Sequence, residues 1–382
     1  MNILVVSPSF MPALNYGGTT RSIYEVCLSL SVNNTVLVLA TNLNGHKKLD
    51  VTPDTLQEIN EIPVIYHDIK FFKKMFCSIK FLKNIFLEIP KHDVIHIQSV
   101  FFIPAIFTAL ACRLLKKPFY VSTRGAVGQV VIAGKNSLAK RLWLKVLAWP
   151  LFRWNIGVHV TSSWESDGLG ALGLDCGKNY LIANGVRVPP KHLLDNAAQE
   201  LLVDDYILYV GRFSPEKGLD LLLRAYKKSN VESNLVLAGD ASSPYGAKIK
   251  ELAKELVIDT KVFFIGQVRE TKWSLFKGAR CLILTSHSEN FGNVVLEAMA
   301  MGTPVVVTSG IGASEVVAQS QSGYVVIRSI SAVAEAIVKI IDYPAESLRL
   351  GENGKIVVQN EFSWEKIAAE YINMYEKARQ IG

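Results

Sequence analysis

The stretch HSENFGNVVLEAMAMGTPVV, His287 to Val306, sets two carboxylates, Glu289 and Glu297, with seven residues between them in an otherwise apolar run. The run reads as a buried helix followed by a buried strand, where an unpaired carboxylate is costly, so each must meet something polar. Glu289 falls in the loop after the strand candidate ARCLILTS, and Glu297 in the helix that follows. The amides around Gly292 and Asn293 offer donors at that helix start, and a polyhydroxylated ligand would satisfy both carboxylates. The plainer alternative is that Glu297 caps its own helix or pairs with a lysine. In GRFSPEKGLDLLLRAY a strand ends at Val210 and a helix starts near Gly218, with Arg212 and Lys217 between them. A guanidinium fork and an ammonium at a strand's carboxyl end suit a diphosphate, unless they are a solvated basic loop. In PSFMPALNYGGTTRSIYEV, Gly17 and Gly18 precede a helix expected from about Thr20. They either let backbone approach an anion or form a plain turn. The pattern is not Gly-x-Gly-x-x-Gly, and a Walker Gly-Lys-Ser/Thr is absent, which disfavours a nicotinamide cofactor and a P-loop.

These residues need strands to hold them. Short apolar runs alternate with helical patterns: 2–7, 35–41, 93–99, 118–123, 157–162 and 180–186, then 206–211, 234–240, 261–267, 279–286, 303–309 and 323–327. That alternation is the signature of α/β architecture with parallel sheets. The polar, proline-containing stretch RVPPKHLLDNAAQE between the two series is the expected linker, near 186–200. The closing segment FSWEKIAAEYINMYEKARQ is an amphipathic helix whose apolar stripe needs another surface.

The 382 residues suffice for two domains. MNILVVSPSF reads as a first strand and not a signal peptide, so a cytoplasmic location is expected. Cys27, Cys77, Cys112, Cys176 and Cys281 are scattered and odd in number, which favours core positions over disulfides or a zinc site. The net charge of +7 is uneven: residues 71–154 carry fourteen Lys and Arg against Glu88 and Asp93, a local +12 that leaves −5 for the rest. Such a field points to an anionic partner.

GRFSPEKG, SENFGNVVLEAMAMGTPVV, GASEVV and SGYVV resemble the C-terminal half of the retaining GT-B glycosyltransferases of the family 4 type, the glycosyl transferases group 1. YGGTTR, TSSWESDGL, IANGV and FSWEKIAAEY extend the resemblance over nearly the whole chain. It implies two Rossmann-like doubly wound domains facing a cleft. These are an acceptor-binding domain at 1–185, a nucleotide-sugar-binding domain at 186–362, and a helix at 363–382 crossing back onto the N-domain.

It further implies that Arg212 and Lys217 hold the diphosphate of a nucleotide-sugar and that Glu297 accepts from its ribose. Glu289 and the amides from Phe291 to Asn293 would hold hydroxyls of the transferred sugar, Gly266 to Val268 the base, and Gly17 and Gly18 the phosphates. No cofactor and no metal are implied, and no Asp-x-Asp motif occurs. Removing Glu297 is then expected to weaken donor binding and leave the fold intact. Where many relatives have a histidine, VSTRGAVGQ places Arg124. Arginine carries no proton at ordinary pH, so Arg124 is expected to contact phosphate or acceptor. His96 reads as a satisfied strand-end residue, and His287 as a weaker site candidate.

The basic segment interleaves cations with apolar residues in FFKKMFCSIKFLKNIFLEIP and KRLWLKVLAWPLFRW. Two readings stand: solvated lysines on ordinary domain helices, or docking on the anionic inner face of a membrane beside a lipid-linked saccharide acceptor. The second would use Lys73, Lys74, Lys80, Lys83, Lys140, Arg141 and Lys145, with Phe and Trp at the headgroups. No apolar stretch is long enough to span a bilayer, and no module accompanies the charge to suggest nucleic acid. A nucleotide-sugar epimerase and a non-catalytic nucleotide-sugar-binding protein are the rival functions.

Overall fold

The apolar runs assemble into two sheets, each in its own unit. The computed structural model describes residues 1–70, 76–127, 137–174, 178–190, 205–287 and 289–379. One unit is Met1–Gly185 together with Trp364–Gly382, and the other is Val186–Ser363. Residues 191–204, which include much of the expected linker, lie outside the described residues, as do Cys176, Lys73 and Lys74.

The N-terminal unit contains β1 (Asn2–Val6), β2 (Thr35–Thr41), a small hairpin of β3 (Leu43–Asn44) and β4 (Lys47–Lys48), β5 (Leu56–Ile59), β6 (Ile62–His67), β7 (Val94–Gln98), β8 (Phe119–Ser122), β9 (Gly157–Val160) and β10 (Asn179–Leu181). Eight of them form one sheet in the order β10-β9-β8-β7-β1-β2-β6-β5. It is parallel except for the β5–β6 edge. Leu4 stands opposite both Leu37 and Ile95. Strands β7, β8 and β9 are buried along their whole length, because helices cover both faces.

One face packs Phe81, Ile85, Ala105, Ala109, Leu144 and Leu151. The other packs Ile23, Val26, Cys27 and Leu30 of the helix Gly18–Ser31, and Trp364, Ile367, Tyr371, Met374 and Tyr375 of the helix Trp364–Arg379. The stripe of the closing helix is thus spent on this sheet. Each large side chain buried there contributes about 1.5–3 kcal/mol.

The other unit holds β11 (Tyr206–Val210), β12 (Asn234–Ala238), β13 (Val262–Gly266), β14 (Cys281–Leu284), β15 (Val305–Thr308) and β16 (Gly323–Val326), ordered β13-β12-β11-β14-β15-β16. All its pairings are parallel. Strand order reverses between β11 and β14, and ligands of doubly wound sheets bind where it does.

Three local expectations need correction. The first helix starts at Gly18 and not Thr20, with Gly17 as its N-cap at φ 71°. Strands β5 and β6 and the small hairpin went unread, because Pro63 interrupts the apolar pattern and β5 is half-exposed. Cys27, Cys112 and Cys281 are buried, but Cys77 is only half-buried.

Candidate active site

Two loops at the reversal point of the C-terminal sheet are zipped together. After β11, Arg212 is exposed and Phe213 is buried, edge-on to Tyr209 and Phe264. The turn Pro215–Lys217 ends at Gly218, in the left-handed region at φ 65°. A Cβ there would lie 2.3 Å from the Thr285 carbonyl oxygen, so only glycine lets the loop approach the end of β14. The Thr285 hydroxyl donates to the Gly218 carbonyl at 2.9 Å, and the His287 amide to the Glu216 carbonyl at 2.8 Å.

This seam brings Lys217 to Glu289, and Lys217 Nζ donates to Glu289 Oε2 in an ion pair. The residues lie 72 positions apart in sequence, and their side chains are 13% and 23% exposed. Past Glu289 the chain is pinned to the loop after β15: Gly312 N donates to the Glu289 carbonyl at 3.2 Å and Ala313 N to that of Phe291 at 2.7 Å. Phe291 is buried, and Gly292 caps the helix Asn293–Ala300 at φ 87°. The Ser286 hydroxyl beside this seam is fully buried and has no hydrogen-bond partner among the described residues. Among those residues no hydrogen bond or ion pair engages the Arg212 side chain either; only its carbonyl accepts, from the Tyr209 hydroxyl at 2.9 Å. The site therefore offers one solvent-facing cation and one lysine shared with a carboxylate.

Glu297 meets a lysine, the alternative open at the level of sequence. Lys272 Nζ lies 2.6 Å from Glu297 Oε1, with side chains 8% and 15% exposed. Its ammonium also sits over the Trp273 ring, 4.9 Å from the centroid. Lys272 was missed: RETKWS carries no motif, and only the requirement that Glu297 find a partner hinted at it. Gly266 ends β13 at φ 76° with open space beside it, where the β12–β13 register slips, and Val268 is half-buried. His287 is held by Arg328, whose Nη2 contacts its Nε2. Burial, then the Arg328 charge, push this imidazole below its ordinary range.

In the N-terminal unit, Gly17 borders open space and leads into the helix begun by Gly18. Arg124 follows β8 and donates to Gln98 Oε1 at 2.8 Å, to Asn184 Oδ1 at 3.4 Å and to the Tyr371 hydroxyl at 3.4 Å. Behind it lies a buried polar chain. His96 is satisfied at both nitrogens, by the Tyr375 hydroxyl at 2.6 Å and Ser122 Oγ at 2.7 Å, and Ser122 Oγ also meets His159 Nδ1 at 2.7 Å.

Burial, then the neighbouring His159 and Arg124, push His96 well below the ordinary imidazole value. Burial, then Arg124, push His159 to about 3. Both are neutral in the folded unit, whereas in the unfolded chain they titrate near about 6.5. The unfolded chain takes up protons that the folded one refuses, so this stability is present above that value and is lost as pH falls. Each histidine is expected to remove up to about 1.4 kcal/mol per pH unit below about pH 6. Urea midpoints of the wild type and His159→Gln between about pH 7 and 4.5 check this. The variant should show a shallower decline, and identical declines would contradict the neutral buried histidine.

Comparison with known proteins bears on the family and the fold. Residues 195–357 match the family model described as glycosyl transferases group 1. The capsular polysaccharide biosynthesis glycosyltransferase CapM of Staphylococcus aureus is 30% identical over 50% of this chain and 53% of its own length. The chain spans about half the length of the first curated relatives it matches. An uncharacterised glycosyltransferase of Methanocaldococcus jannaschii is 26% identical over 98% of this chain and 99% of its own. The Anabaena protein HepE, crystallised in complex with UDP, superposes with a TM-score of 0.80 at 17% identity, covering 99% of this chain and 100% of that one. Residues 195–357 thus match glycosyl transferases group 1, and the chain as a whole has the GT-B fold.

Proposed function

We propose that this chain is a retaining glycosyltransferase that moves a sugar from a nucleotide-diphosphate sugar to an acceptor hydroxyl. The observation that carries this reading is the Lys217–Glu289 pair in the same loop as Arg212, whose side chain engages no partner among the described residues, set where strand order reverses between β11 and β14. Arg212 and Lys217 stabilise the negative charge that grows on the leaving diphosphate, in place of a metal. Glu289 and the amides of Phe291, Gly292 and Asn293 take hydroxyls of the transferred sugar, Glu297 those of the ribose, and the backbone from Gly266 to Val268 the base. Gly17, Gly18 and Arg124 are the substrate contacts of the N-terminal unit.

In the transfer the acceptor oxygen bonds to the anomeric carbon on the face from which the diphosphate leaves. The bond from that carbon to the phosphate oxygen breaks, its electron pair stays on the diphosphate, and the acceptor proton passes to a departing phosphate oxygen. A panel of UDP-, GDP- and ADP-sugars tests this, led by uridine donors because HepE was crystallised with UDP. One class should raise the melting temperature and release its nucleoside diphosphate in EDTA, with the donor's anomeric configuration kept in the product by NMR. Failure of every donor to bind at millimolar concentration would overturn the reading, and binding without release would favour a non-catalytic binder.

The acceptor is proposed to be a lipid-linked saccharide at an anionic membrane surface, in line with the capsular polysaccharide relative. Lys80, Lys83, Arg141 and Lys145 are exposed and Lys140 is half-buried. Beside them, Ile79 is 87%, Leu138 80% and Leu142 63% exposed, with Val146, Leu147 and Trp149 also open to solvent. Among the described residues the exposed groups are mainly aliphatic: Phe81 and Phe152 turn into the core, leaving Phe86 and Trp149 as the open aromatics. No described helix is long and apolar enough to cross a membrane, so the contact is peripheral. Each cation near an anionic surface contributes about 1 kcal/mol, and salt weakens it. Co-sedimentation should show binding to anionic vesicles that fades with salt; equal binding to neutral vesicles, or none, would remove the membrane reading.

A further inference from the structure

Arg124 is held as though awaiting an anion. It sits in the left-handed region at φ 48°, followed by Gly125 at φ 80°. That conformation costs a non-glycine residue about 1 kcal/mol or more and persists only where its surroundings impose it. Here they do. Glu165, fully buried, accepts from the Thr123 hydroxyl and the Gly125 amide on either side of Arg124, and from Thr161 N at 3.0 Å and Thr161 Oγ1 at 3.2 Å. Four donors to one carboxylate clamp the loop.

The guanidinium is fixed from three parts of the unit, the end of β7, the segment after β10 and the closing helix, and every acceptor it meets is neutral: Gln98, Asn184 and Tyr371. Among the described residues no carboxylate lies within ion-pair distance of it. These three bonds use the Nε hydrogen and one on each terminal nitrogen. One N–H remains on each terminal nitrogen, available to the oxygens of a phosphate. The imidazoles and the thiol behind it add no negative charge, and the nearby Glu165 carboxylate is taken up by Thr123, Gly125 and Thr161. His96 and His159 are neutral, and burial pushes the Cys27 thiol up to about 12 even beside Arg124. A half-buried cation whose hydrogen-bond acceptors are all neutral carries a desolvation cost that an arriving anion relieves.

We propose that Arg124, aimed by Gln98, Asn184 and Tyr371, is the recognition site of the N-terminal unit for a phosphate group on the acceptor. This rests on the glycosyltransferase reading, in which the donor diphosphate already has Arg212 and Lys217. The phosphate belongs either to a lipid diphosphate carrying the acceptor sugar or to a soluble sugar phosphate.

The test has two arms. In the first, crystals are soaked in sodium tungstate. An anomalous peak within hydrogen-bond reach of the Arg124 terminal nitrogens, lost in Arg124→Gln, is expected, and no peak there in the wild type overturns the proposal. In the second, acceptors are compared as alkyl-diphosphate saccharide, free sugar phosphate and phosphate-free alkyl glycoside. Arg124→Gln should raise KM for the phosphate-bearing acceptors about 10–100-fold, Arg124→Lys less, and Tyr371→Phe should raise it with the charge intact. The donor-induced thermal shift should stay as in the wild type. Preference between the two phosphate acceptors identifies the source. Equal use of the phosphate-free glycoside, or a rise confined to the donor KM, overturns the proposal. If no donor binds the wild type, the glycosyltransferase reading fails instead, and the tungstate arm still decides the anion site.

Discussion

Replacing Glu297 with alanine is expected to destabilise the C-terminal unit by about 3–5 kcal/mol, the cost of breaking a buried ion pair and leaving the other charge behind. The ammonium that loses its carboxylate is that of Lys272, whose side chain is 8% exposed and lies 2.6 Å from it. Against a total stability of about 5–15 kcal/mol that is a large share, so the pairing sets a stability cost against the expectation that Glu297 can be removed with the fold intact. Hydrogen exchange over residues 205–363 of the full chain reads the loss. Glu297→Gln, which keeps an acceptor for the ammonium, should cost less than Glu297→Ala. The double replacement Lys272→Met with Glu297→Leu should recover much of it, because an apolar pair removes both charges at once. Wild-type protection in Glu297→Ala would show that Lys272 does not depend on this carboxylate and would return Glu297 to a purely ligand-facing role.

Lys217→Ala and Arg212→Ala are each expected to lower kcat about 10²–10³-fold, about 2.7–4 kcal/mol of transition-state stabilisation, with a smaller effect on the donor KM. The diphosphate gains charge as the glycosidic bond breaks, so contacts to it strengthen toward the transition state. The two variants should part company in stability. Arg212 is exposed and engages no side-chain partner among the described residues, so its loss should shift stability by no more than about 0.5 kcal/mol. Lys217 is mostly buried against Glu289, so its loss strands a carboxylate and should lower the melting temperature as well. Single-turnover rates with saturating donor, alongside thermal melts, separate the two effects. Unchanged kcat in both variants would remove the cations from the chemistry.

The sequence by itself determined the strands of both sheets apart from β5 and β6, and the charged loops at their ends. The runs at 2–7, 93–99, 206–211 and 279–286 lie over β1, β7, β11 and β14 with ends within two residues. Parallel strands buried on both faces must be continuously apolar, and that requirement is written locally. The half-exposed edge strand β5 is bound by no such requirement and stayed unread. Arg212, Lys217, Glu289 and Arg124 were legible as charges at strand ends, because a cation or carboxylate beside an apolar run needs a polar reason.

What each of them meets was decided only by the tertiary structure. Lys217 finds Glu289 across 72 residues, Glu297 takes Lys272, and Arg124 is fixed by partners 26, 60 and 247 positions away. Periodicity reports which side of an element is buried. Which strand ends lie side by side follows from sheet order, and that order sets a lysine against its carboxylate while it leaves Arg124 among neutral acceptors.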